Sequence, residues 1–136
     1  MSNTRYWLVK SEPSAYSWDD LMREGKTLWD GVRNFQARNF MRQMQVGDAV
    51  LFYHSMKQKA VVGIAEVTRT AYPDPTASSG DWSVVDIKPV GPIERPVTLA
   101  EIRQHPKLQD MPLIKQSRLS VMPITQSHYE IIVNWK

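Results

Sequence analysis

The sequence predicts an α+β domain, a small mixed β-barrel of about five to six strands with small peripheral helices. Three observations carry that expectation. Strand-like and helix-like segments alternate at short intervals. The helical segments are too few and too irregularly placed to cover both faces of a doubly wound parallel sheet. Two apolar runs, one ending at His54 and the next beginning at Ala60, lie a short turn apart and read as a hairpin. The chain has 136 residues, the usual size of one domain, and neither a repeat nor a linker divides it, so residues 1–136 read as a single unit.

Tyr6-Trp7-Leu8-Val9-Lys10 is rich in aromatic and aliphatic residues and reads as a buried first strand. Ser17 then caps a helix; Asp19 and Asp20 suit the positive end of its dipole, and Gly25 closes it. A second helix runs from about Asn34 to Met44, with Phe40, Met41 and Met44 spaced for a buried face and Arg38 and Arg42 on another. Gly47-Asp48 turns the chain into the strand Ala49 to His54, and Ala60 to Val67 follows as its partner. Tyr72 to Gly80 is expected to be a loop, because Pro73 and Pro75 suit neither a ladder nor a helix interior. Trp82 to Val90 reads as a further strand. Thr98-Leu99-Ala100-Glu101 has the spacing of a capping box on a short helix that ends before Pro106. Leu119 to Ile124 is a last strand, with Pro123 marking an edge or an end. Thr125 caps a C-terminal helix on which Tyr129, Ile132 and Val133 share a face.

Composition excludes several function classes. There is no cysteine, which removes disulfides, thiolate nucleophiles and cysteine-ligated zinc and suits a reducing cytosol. Met1 to Arg5 leads directly into the first strand, whose apolar run is too short for a signal peptide. No stretch approaches membrane-spanning length, so a soluble, cytoplasmic protein without a membrane partner is expected. His54, His105 and His128 are not spaced for a metal on one helix, and no HExxH, GxSxG, phosphate loop or GxGxxG occurs. Asp19-Asp20 is explained by its place in a first helical turn. No catalytic residue, metal or cofactor is therefore expected. The formal charge is +3, but its distribution says more: Arg33, Arg38, Arg42, Lys57 and Lys59 share one segment with a single acid, Asp48. Such a field attracts phosphate, although a solvated helix face has the same composition.

Four polar-aromatic clusters lie beside strand ends, where small barrels display ligands. The first is Lys10-Ser11-Glu12 with Pro13. The second is Trp29-Asp30-Gly31-Val32-Arg33-Asn34, in which Gly31 allows close backbone approach, Trp29 offers a flat face, and Asp30 and Asn34 offer hydrogen-bonding edges. The third is Tyr53-His54-Ser55 and the fourth Arg118-Leu119-Ser120. Each has a plainer reading. Trp29 is also an ordinary candidate for the core, Asp30 can pair with Arg33, and Lys10 can pair with Glu12. Together, aromatic faces beside Arg, Lys, Asn and Ser are what base stacking and edge recognition require.

The motifs Tyr6-Trp7-Leu8-Val9-Lys10-Ser11-Glu12-Pro13, Tyr16-Ser17-Trp18-Asp19-Asp20-Leu21, Trp29-Asp30-Gly31-Val32-Arg33-Asn34 and Gln36-Ala37-Arg38-Asn39 closely resemble the EVE-domain family. The likeness continues in order through Phe52-Tyr53-His54-Ser55, Val62-Gly63-Ile64-Ala65-Glu66-Val67, Ala71-Tyr72-Pro73-Asp74-Pro75-Thr76 and Arg118-Leu119-Ser120-Val121, and covers almost the whole chain. The resemblance implies a PUA-like fold related to the ASCH and YTH domains, whose members bind RNA or hold single, often modified, bases. It implies 5-methyl- or 5-hydroxymethylcytosine in DNA as a ligand, with methyladenine as the YTH counterpart. Trp29 matches a tryptophan of the YTH aromatic cage, and Lys10-Ser11 matches a Lys-Ser pair after the first strand. Fold kinship does not transfer ligand identity.

The expectation is a binding module for a modified base in DNA or RNA, flipped out or single-stranded. Trp29 would stack on the base, with Tyr53 or another aromatic opposite. Ser11, Asp30, Asn34 and His54 would read its edges, and Lys10, Arg33, Arg38 and Arg118 would meet phosphates. Two alternatives use the same pocket: a nuclease or hydrolase built on His54 with Glu12 or Asp30, and a small-metabolite or protein-interaction module.

Overall fold

The computed structural model describes residues 5–135; the expected start at Met1 to Thr4 lies outside them. Local chemistry sets the helices. Ser17 caps α1 (Trp18–Glu24) in a reciprocal capping box with Asp20, and Gly25 ends it in the left-handed conformation at φ 77°. Asn34 caps α2 (Phe35–Met41) by accepting from the Ala37 amide. Thr98 and Glu101 form the capping box of α3 (Leu99–Gln104), and Thr125 and His128 form that of α5 (Gln126–Val133). α4 (Pro112–Lys115) is not among the expected helices; it is a single turn started by a proline and lacking a side-chain cap, and so leaves little signal in the sequence.

The strands are β1 (Tyr6–Ser11), β2 (Thr27–Leu28), β3 (Ala49–His54), β4 (Ala60–Pro73), β5 (Ser83–Thr98) and β6 (Val121–Ile124). They form one sheet in the order β2-β5-β4-β3-β1-β6, with β1 and β3 parallel and the other neighbours antiparallel. Among the described residues no pairing joins β2 to β6, so the predicted barrel is an open one. The two-residue β2 is too short to leave a periodic signal. Both strands of the β4–β5 hairpin also run further than the sequence suggests. Tyr72 and Pro73 still pair, with Val84 and Ser83, so the loop begins later than Tyr72. Pro89, Pro92 and Pro96 lie inside β5, whose pairing with β4 shifts register several times. Beyond Asp86 and Ile87 the outer edge of β5 has no partner in β2, so prolines without an N–H leave no ladder bond unmade there.

One core covers both faces of the central strands, since the neighbours Trp7 and Leu8 in β1, and Leu51 and Phe52 in β3, are all buried, with Leu21 and Met41 packing from the helices. The single acid of the basic segment is structural. Asp48 is buried and accepts from Trp7 Nε1 at 2.9 Å, Gln45 N at 2.9 Å and Arg5 N at 3.1 Å. A buried carboxylate needs several such donors. Gly63 has no room for a side chain, because a Cβ there would sit 2.5 Å from the Trp18 ring. Among the described residues no helix is long and apolar enough to cross a membrane.

Candidate functional site

The open edge of the sheet carries a cleft of about 450 Å³. Strand order explains its walls. β1 ends beside Ser120, which precedes β6, and contributes Lys10 and Ser11, with Glu12 following. β2 contributes Thr27 and Leu28, and the segment leaving β2 contributes Trp29 through Arg33. Ala15 and Tyr16 close the side towards α1. Parts of three predicted clusters thus meet: Lys10-Ser11-Glu12, Trp29-Asp30-Gly31-Val32-Arg33, and Ser120.

The remaining predicted residues lie elsewhere. Tyr53 and Ser55 line a neighbouring hollow of about 260 Å³ that shares Lys10 with the cleft. Asn34, Arg118 and Leu119 surround a third depression, in which Leu119 is buried. Both ring nitrogens of His54 are engaged: Nε2 accepts from the Trp18 amide at 2.9 Å, and Nδ1 lies 2.7 Å from Gln58 Oε1. Asn34 Oδ1 is occupied by the Ala37 amide at 2.9 Å.

Trp29 serves core and cleft together. It is 9% exposed, with its ring edge-to-face against Phe52 at 5.5 Å and Tyr16 at 6.2 Å. Its amide donates to Val85 O at 2.7 Å, which ties the wall to β5. Gly31 adopts φ 77°, a conformation that disfavours a side chain. The Gly31 amide donates to Asp74 Oδ2 at 3.1 Å, and Arg33 donates to the same oxygen at 2.9 Å. Asp74 Oδ1 accepts from the Thr76 amide at 2.7 Å and the Thr76 hydroxyl at 2.6 Å. Burial opposes the charge on Asp74, but these donors outweigh it and hold the carboxyl down at about 2. The Asp30–Arg33 pair open to sequence reasoning is therefore not formed; Arg33 reaches Asp74 instead.

Other cations of the sequence reading are also partly committed. Arg38 donates to Asp81 O at 3.0 Å, and its guanidinium lies 5.0 Å from the Phe35 ring centre. Lys10 Nζ donates to Ser117 O at 2.7 Å and sits 5.9 Å from the Tyr53 ring centre, and burial lowers its pKa. Ser11 Oγ donates to Tyr16 O. Sequence reasoning overlooked two residues of the site. Tyr16 lines the cleft and donates to Glu24 Oε1 at 2.8 Å; burial above all pushes its phenol up to about 12. Asp74 never touches the cleft, yet it fixes the loop that does. Its only local signal is the Asp-Pro-Thr turn.

Two acceptors at the cleft are uncommitted. Among the described residues, no ion pair engages the carboxylates of Glu12 or Asp30, and both residues are exposed. The cleft therefore has apolar walls from Trp29, Leu28, Val32 and Ala15, acid acceptors at its mouth, and a cation on the Lys10 side. That arrangement is chemically suited to a ligand that carries hydrogen-bond donors.

An open six-stranded sheet with a ligand-sized cleft at the β1 and β2 ends is consistent with the PUA-like class. The chain belongs to the EVE-domain family, whose model matches residues 5–135. It is similar to mouse thymocyte nuclear protein 1, with 35% identity over 96% of this chain and 73% of that protein. Among solved structures it resembles a protein from Agrobacterium tumefaciens, with a TM-score of 0.93 and 44% identity over 96% of this chain and 91% of the other. It also resembles the human THYN1 protein in complex with 5-methylcytosine-containing DNA, with a TM-score of 0.89 and 33% identity over 96% of both chains. An ASCH protein from Zymomonas mobilis, at 10% identity and a TM-score of 0.60, shares the fold alone.

Proposed function

We propose that this EVE domain binds DNA carrying a methylated cytosine and takes the modified base into the Trp29 cleft without chemical turnover. The observation that carries the reading is the meeting of an aromatic and aliphatic wall with the uncommitted carboxylates of Asp30 and Glu12. The 4-amino group of cytosine is a donor, which a carboxylate accepts; thymine presents an acceptor at that position and is repelled. A 5-methyl group adds apolar area against Leu28, Val32 or Trp29, worth about 0.8 kcal/mol, or roughly fourfold in affinity. The relative in complex with 5-methylcytosine-containing DNA supports the same ligand class. Adenine also carries an exocyclic amine, so N6-methyladenine is the competing base. Hydrolysis has no comparable support, since both ring nitrogens of His54 are engaged within the fold.

The test is a titration of matched single strands carrying 5-methylcytosine, cytosine, thymine or N6-methyladenine at one position. The methylated cytosine strand is expected to bind tightest and the thymine strand weakest. Trp29→Ala should abolish the preference, and Asp30→Asn should narrow the gap between cytosine and thymine. Equal affinity of the wild type for all four strands would sink the proposal.

A further inference from the structure

The acids that suit a base at the cleft mouth repel its phosphates, so the backbone needs another path. Three cations outside the cleft mark one. Lys57 and Lys59 lie on the turn between β3 and β4, and Arg103 lies on α3; all three are exposed. Among the described residues none of them forms an ion pair with a carboxylate. The Leu99 amide donates to Lys59 O at 2.8 Å, so the turn is fastened to the start of α3 and the three side chains share one surface. They line a depression of about 480 Å³ whose lining contains no acidic residue. Lys59 and Arg103 also line the hollow that contains Tyr53 and Lys10, and Lys10 lines the base cleft. Cleft and hollow thus adjoin at Lys10, and hollow and depression at Lys59, Leu99 and Arg103; among the described residues, no ion pair engages the cations along the way.

We infer that this surface is a phosphodiester track, along which a single strand leaves the cleft past Lys10 and Tyr53 and crosses Lys59, Arg103 and Lys57. The inference rests on the proposed base cleft, because that cleft fixes where the track begins. The occupant is a backbone rather than a free anion. The cations are spread over two adjoining depressions instead of converging on one point. Arg33 and Arg38 are less free to serve, since Arg33 is paired with Asp74 and Arg38 donates to the Asp81 carbonyl.

The experiment compares wild type, the triple variant Lys57→Gln/Lys59→Gln/Arg103→Gln, and Trp29→Ala. The probes are 5-methyl-2′-deoxycytidine and a fluorescent strand of about twelve nucleotides with one central 5-methylcytosine, made once as DNA and once as RNA. Each lost phosphate contact lowers the salt dependence of single-strand binding by about 0.7, so the triple variant should lose about 2 from the log–log slope. Between about 50 and 200 mM salt, this removes a roughly twentyfold drop in strand affinity. Nucleoside affinity should not change in the triple variant and should fall in Trp29→Ala. An unchanged slope in the triple variant, with binding still lost in Trp29→Ala, overturns the track and leaves the cleft. Strand binding that ignores Trp29→Ala but keeps the altered slope overturns the cleft and shows that the cations bind strands independently. A wild type that binds no strand overturns both. A smaller slope change on RNA than on DNA assigns the track to DNA, and the reverse assigns it to RNA.

Discussion

Replacing Asp74 by asparagine removes one charge from the node that holds the Trp29-to-Arg33 wall against the β4–β5 hairpin. The carboxylate accepts four hydrogen bonds, from Gly31, Arg33 and twice from Thr76. An amide has only one oxygen and would turn its NH2 towards donors on the other side. The carboxyl is held at about 2 against an ordinary 3.8. At about 1.4 kcal/mol per pH unit, the charged form stabilises the fold by about 2 kcal/mol at neutral pH. Because the folded value is depressed, this stability is present above about pH 4 and is lost as the pH falls towards 2. Urea denaturation from pH 7 to pH 2 is the assay. Asp74→Asn should be less stable by about 2 kcal/mol at pH 7, equivalent to a Tm lower by about 7 °C. The two stability curves should approach each other at the acid end, since wild-type Asp74 is then about half protonated and most of the linkage is lost. Base binding should weaken too, because Gly31 and Arg33 lose their anchor. A constant gap across the whole pH range would refute the reasoning, as would no gap at pH 7.

Two further substitutions probe how the fold supports the site. Gly63→Ala drives a Cβ into the Trp18 ring and should lower stability by about 1–3 kcal/mol in urea denaturation, with Gly91→Ala, where the space is open, far milder. His54→Ala leaves the Trp18 amide without its acceptor and should cost about 1–3 kcal/mol of stability, while nucleoside affinity stays within about twofold of wild type. A large loss of binding in His54→Ala without a loss of stability would return His54 to the ligand.

What the sequence revealed and what it concealed differ in range. The caps at Ser17, Thr98 and Thr125 were readable because each joins residues three apart, whereas Asn34, read as a candidate for the ligand, caps α2 instead. The meeting of Lys10-Ser11 with Trp29 and Ser120 was readable as a candidate only, since strand order and not spacing brings them together. Asp74 was hidden, because its partners Gly31 and Arg33 lie more than forty residues away and the hairpin alone delivers it. His54 misled for the same reason: a histidine at a strand end reads the same whether it faces a ligand or the Trp18 amide. The family likeness supplied the PUA-like barrel; that it stays open between β2 and β6 was not legible, because periodicity reads the same in an open and a closed sheet.

The place of β1 in the sheet has a consequence for synthesis. Of the six strands it is made first, yet it lies between β3 and β6, and β6 is made last of the six. Until Val121 to Ile124 arrive, one edge of the apolar run Trp7-Leu8-Val9 has no partner. The growing domain therefore carries an open, aromatic strand edge until β6 is made, an edge that the finished molecule no longer shows.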